Sequence, residues 1–165
     1  MSTDEKLKPI KSLTLLALPD DDTYLYRLGI ALYGFASISS FMAEVTCYLD
    51  PDQNRTKLEE QMGGGLLKSF QRSAGKIAPS KPDVGSISQA AADLFKVLNA
   101  ERSDIVHAYP ITNNAGEQIL HRRKNEQGKY FEVTNDFLNS FISRLHDVSL
   151  KLYEIRSILR PDLGD

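Results

Sequence analysis

Arg102 and His107 are the side chains in this chain whose types and spacing best suit phosphoryl chemistry. They stand in the run Ala100-Glu101-Arg102-Ser103-Asp104-Ile105-Val106-His107-Ala108-Tyr109-Pro110. An imidazole with an ordinary pKa of about 6.5 serves as base or acid near neutrality. A guanidinium presents a fixed fork of donors that matches phosphate oxygens. Cleavage of RNA by its own 2′-hydroxyl needs a base, an acid and a charge that holds the phosphorane. One chain supplies one such pair, and a two-fold dimer with the pair at its axis would supply two. The plainer alternative is a surface arginine and a helix-end histidine making ordinary caps. Five residues of ideal helix turn about 500°, which leaves the pair about 140° apart around the axis. The long arginine side chain, or unwinding at the helix end, must then bring them together.

Other residues could support the pair. Ser103 is polar and follows the arginine directly. Asp104 lies three residues before His107, on the same helical face, and could orient or charge the imidazole. Such a carboxylate–imidazole pair could also bind a metal, but no second pair with inward Glu residues accompanies it, so no metal or other cofactor is expected. Glu44, inside an apolar run, is a candidate partner for a base such as Arg102, or else a solvated helix-edge carboxylate. Tyr109 could stack on a nucleobase, or pack at the helix exit. Arg122, Arg123, Lys124 and Lys129 form a local basic patch suited to RNA phosphates, with a solvated charged hairpin as the alternative. Cys47 lies in an apolar run and reads as a packed thiol.

Composition bounds these readings. The 165 residues are 41% hydrophobic and 25% charged, with a formal net charge of −2, a sequence pI near 5.9 and a mean hydropathy of −0.32. This fits one globular domain with a single core. The slight acidity argues against a general nucleic-acid coat, so RNA contact must come from a local patch. A single cysteine rules out an intrachain disulfide and fits a reducing compartment. The apolar patch Leu13–Leu18 is too short for a signal core, and no stretch reaches the roughly 20 apolar residues of a membrane span. A cytoplasmic protein without a membrane partner is the expectation.

The elements that must position these residues are mainly helical. Residues 1–19 form an N-terminal arm that could pack on the body. Asp20-Asp21-Asp22-Thr23 provides an N-cap, and the helix it opens runs to about Leu49, where Asp50-Pro51 ends it. Thr56–Met62 reads as a short helix or turn. Gly63-Gly64-Gly65 reads as a hinge, and it is no phosphate loop because Leu67 rather than Gly precedes Lys68-Ser69. Leu66–Lys76 has helical spacing, and residues 77–85 form a linker. Ser86 caps a third main helix that ends at His107, before Pro110. After the turn at Thr112–Gly116, Ile119–Lys124 and Lys129–Thr134 predict a β-hairpin. Thr134 or Asn135 caps a last helix to about Leu159, and residues 161–165 form a tail. The expected fold is all-α: a four-helix bundle over residues 20–160, with a small β-hairpin inserted before the last helix.

The Arg102–His107 spacing, near the end of the third main helix of such a bundle, resembles the R-x(4–6)-H signature of the HEPN superfamily. Many members have Asn directly after the arginine, where this chain has Ser103. The resemblance implies a metal-independent endoribonuclease that leaves 2′,3′-cyclic phosphate ends at a homodimer interface. It also implies a role in stress response, toxin–antitoxin action or phage defence, with an antitoxin or other protein partner. The alternative is a non-catalytic HEPN-like module that binds RNA, a nucleotide or a protein.

Overall fold

The computed structural model describes residues 2–13, 18–124 and 129–164; the side chains of residues 3, 4, 124, 129 and 130 lie outside that description. The described elements run α1 (Thr3–Ser12), α2 (Asp22–Leu49), α3 (Arg55–Glu59), α4 (Gly63–Ile77), α5 (Pro82–Val106), β1 (Tyr109–Thr112), β2 (Gln118–Lys124), β3 (Lys129–Val133) and α6 (Asn135–Leu159), followed by a 3-10 turn at Pro161–Leu163.

Four long helices build the core, each with inward residues alternating at spacings of four and three. In α2 these are Ala31, Phe35, Ile38, Met42, Val45 and Leu49, all buried. In α6 they are Leu138, Phe141, Leu145, Val148, Leu152 and Ile155, all buried. In α5 the series Val84, Ser88, Ala91, Phe95, Leu98 continues to Ile105, and all six are buried. A repeat of 3.5 keeps one seam facing inward over many turns, as bundle packing requires. α2 packs on α4 and α6, and α5 packs on the same two helices, which closes a ring of four. Phe35 and Phe95 meet across that ring, stacked with centroids 5.2 Å apart.

Local chemistry sets the helix ends. The Asp21 carboxylate caps α2 by accepting from the backbone N–H of Thr23 and Tyr24 at 3.0 and 3.1 Å. It also accepts from the Asn135 side-chain amide, 3.2 Å away. These bonds hold its carboxyl below the usual carboxylate range. Thr134 caps α6 through its hydroxyl. Asp50, buried at the end of α2, accepts from Lys76 at 2.6 Å and Gln53 at 3.0 Å, and these bonds depress its pKa.

Four expectations need correction. The three glycines do not interrupt a helix; they form the first turn of α4. A Cβ on Gly63 would come within 2.1 Å of the Asn99 side-chain oxygen, so the glycine lets α5 approach closely. α5 starts at Pro82 rather than at Ser86, because proline suits a first helical turn whose N–H groups need no partner. The hairpin gains a third strand, in the order β1-β2-β3, all antiparallel. Finally, α2 is long and apolar enough to cross a membrane by length and composition, with a hydropathy of 1.4 over its most apolar window. The helix that centres a bundle passes the same test, and one third of that window is buried.

The sheet covers the end of the bundle where α5 stops and α2 and α6 begin. Tyr24, in the first turn of α2, ties it down. Its hydroxyl accepts from the Leu120 N–H and donates to the Val133 carbonyl, both at 2.8 Å. The N-terminal arm reaches the body through the Lys11–Asp22 ion pair, 2.5 Å, and through a bond from the Asp20 N–H to the Gln118 side chain, 3.3 Å.

Tyr24→Phe keeps the ring and removes the tie, leaving a strand N–H and a buried carbonyl without that partner. Urea unfolding should show a loss of about 1–3 kcal/mol; a loss under about 0.5 kcal/mol would mean that the hydroxyl does not anchor the sheet.

Candidate functional site

Arg102 falls on the inward series of α5, four residues after Leu98 and three before Ile105. An aliphatic residue would complete the seam there. Instead the guanidinium lies over the Phe35 ring, 5.5 Å from its centroid, so that Phe95, Phe35 and Arg102 form a stack leading from the core to the surface. Stacking on an aromatic ring fixes a guanidinium without using its N–H donors.

The other half-buried arginines among the described residues all bond to protein oxygens. Arg27 donates to Asn135, Arg122 to Asp104, Arg144 to Glu101, Arg156 to the Gly164 carbonyl and Arg160 to Asp162. Arg102 makes no hydrogen bond or ion pair among the described residues. It borders a groove of about 570 Å³ between α2, α3, α4 and α5, whose walls include Leu32, Phe35, Met62, Leu66 and Val106; its polar groups include Ser39, Ser40, Gln61 and the Glu59 carboxylate, which is paired with Arg55. An uncompensated cation beside apolar walls attracts anions more strongly than one in bulk water, because screening is weaker there.

His107 sits just beyond, as the C-cap of α5 at φ −96° and ψ 6°. Its side chain is exposed, and its N–H donates to the Ser103 carbonyl at 3.1 Å. The helix runs unbroken to Val106, so the turn of about 140° between Arg102 and His107 persists. Val106 lines the Arg102 groove and His107 does not.

The supporting residues separate. Ser103 is half-buried beneath His107. Asp104 is buried and takes an ion pair from Arg122 at 2.7 Å. That pair joins α5 to β2 and commits one arginine of the basic patch. Arg123 is exposed. Lys124 and Lys129 face each other in the β2–β3 register, and their side chains lie outside the described residues. Tyr109 stacks on buried His121, with centroids 5.5 Å apart and planes 21° apart, which uses one face of the ring. Glu44 is not the partner of Arg102. It accepts from Tyr48 at 2.7 Å and pairs with Arg55 at 3.3 Å. Burial pushes the Cys47 thiol up, which weakens it as a nucleophile.

Reading the sequence for motifs alone passes over the position of Arg102 on the seam. The signal is there in the α5 series, where one charged residue interrupts an inward-facing repeat. Comparison with protein families, with curated proteins and with solved structures gave no match.

The two arginines of this region should respond in opposite directions. Arg102→Met replaces an uncommitted cation by an apolar chain on the seam and should leave the melting temperature unchanged or raised. Arg122→Met takes an ion-pair partner from a buried carboxylate and should cost about 1–2 kcal/mol, reduced by the partial exposure of the arginine. Thermal unfolding of the two variants side by side checks the contrast.

Proposed function

We propose that this protein is a metal-independent endoribonuclease of HEPN type, active as a homodimer. The observation that carries the reading is Arg102: a half-buried guanidinium, stacked on Phe35, whose donors no group among the described residues uses. An unused cation at a seam position is costly unless an anion repays it, and a phosphate diester is the anion that a guanidinium fork fits best. His107, exposed at the end of the same helix, supplies the proton chemistry. As base it takes the proton of the ribose 2′-hydroxyl, whose oxygen attacks phosphorus. The bond from phosphorus to the 5′-oxygen breaks, and that oxygen takes a proton from the imidazolium of the second copy. The products are a 2′,3′-cyclic phosphate and a 5′-hydroxyl. Arg102 neutralises the phosphorane between these steps. A dimer is part of the reading because each chain brings one histidine, and the reaction uses a base and an acid. We place the activity in the cytoplasm, in stress response or defence, under the control of a protein partner.

The binding-module reading has its own support: the groove takes in Arg102 and leaves His107 outside. In that reading the groove holds an anionic ligand and performs no chemistry.

Wild-type, Arg102→Met and His107→Ala proteins incubated with a mixed RNA pool in EDTA separate the two. Cleavage by wild type alone, leaving 2′,3′-cyclic ends and reduced about 10²-fold or more in each variant, is the expected result. RNA retention without cleavage, lost in Arg102→Met and kept in His107→Ala, would instead establish the binding module.

A further inference from the structure

We infer that the outer face of α2 is a two-fold interface between copies of this chain, with the Arg102 groove along its edge. The dimer invoked above has no face assigned to it. The surface argued here stands on packing alone and holds whether or not RNA is cleaved.

The face opposite the buried seam of α2 carries Tyr26, Ile30, Tyr33, Ser37 and Ser40, which lie within about 80° of arc and are all exposed. A solvated helix face is normally charged, yet no Asp, Glu, Lys or Arg occurs from Leu28 through Ala43. The acidic residues that bound this stretch are already neutralised within the chain: Asp22 by Lys11 and Glu44 by Arg55. Arg27, the basic residue next to the stretch, donates to the Asn135 side chain, so a two-fold axis near Ser37 crosses an uncharged length of helix.

The exposed apolar surface is also large enough. Tyr26 is 70% exposed, Tyr33 77% and Met62 82%. With Ile30, Leu32 and Val106, and at 150–250 Å² for a whole aromatic side chain, this leaves roughly 700 Å² bare. That is near the approximately 800 Å² that each partner gives to a standard interface.

The shape is self-complementary, as an isologous contact requires. α2 forms a ridge with a groove on each flank, and Ala36 and Ser40 border both grooves. Tyr33 is exposed on the flank of the groove that holds Tyr153 and Arg156, and the Arg102 groove on the opposite flank of α2 has room for a ring. Two ridges crossing at Ser37 would place the Tyr33 of each copy in the groove of the other.

Sedimentation velocity at micromolar concentration should give a dimer for the wild type. Tyr33→Lys should weaken association about 30-fold or more, as loss of a hot-spot aromatic does, with unchanged helicity and melting temperature because the site is exposed. Val97→Lys, at an exposed α5 position outside the groove, should leave the dimer intact. Ser37→Cys in a Cys47→Ser background should form a disulfide-linked dimer on mild oxidation, since residues at a two-fold crossing lie within bridging distance of their own copies. A monomeric wild type, or a dimer indifferent to Tyr33→Lys, would overturn the assignment. So would flotation of the protein with phosphatidylcholine vesicles that Tyr33→Lys abolishes, which would mark the face as a lipid contact. None of these measurements involves RNA, so loss of the nuclease reading leaves them unaffected.

Discussion

The bundle depends on the stacked pair Phe35–Phe95 at its centre. α2 and α5 stand diagonally in the ring of four, and the two rings join them across the core. Both are fully or almost fully buried. Aromatic side chains bring large apolar areas, and their offset geometry constrains how far the helices can slide. Met42 and Leu98 on the same seams, with Phe141 and Leu145 of α6, fill the layers on either side. The 3.5-residue repeat of α2, α5 and α6 follows from this arrangement, because only that period keeps each helix turned inward over its length.

The same pair positions Arg102. A guanidinium at a seam position would ordinarily be pulled towards a carboxylate, and its donors would be used. Here the ring of Phe35 supplies the attraction instead. The cost of half-burying a charge is then met partly by the quadrupole of the ring and partly by contact with water through the open groove. What results is a cation stacked on a core aromatic with its hydrogen-bonding edges uncommitted among the described residues, which suits a ligand site better than a structural one.

Much of this was legible in the sequence, for reasons that can be named. Asp21 and Pro51 bracket α2 because carboxylates cap helices and proline unsettles the residue before it. Thr134 and Pro161 bracket α6 in the same way. The β2–β3 pair followed from alternation around a turn. β1 was hidden because Pro110 reads as a stop, yet proline is tolerated on an edge strand, which β1 is. The glycine run misled because propensity disfavours Gly in helices, whereas the demand at Gly63 is tertiary and comes from Asn99. Arg102 and His107 were visible as a spacing. The stack on Phe35 and the engagement of Asp104 by Arg122 were not, because both depend on residues far away in the chain.

The two bonds of the Tyr24 hydroxyl bear on strand register. Leu120 and Val133 are directly paired across β2 and β3, so one phenol reads both members of a single cross-strand pair. Three short strands of four, seven and five residues have no second face of their own to fix their alignment, and a shift by one residue turns every side chain to the opposite side. Such a shift would also carry the Leu120 N–H and the Val133 carbonyl away from the hydroxyl together. The helical bundle thus acts as the template on which the sheet finds its alignment.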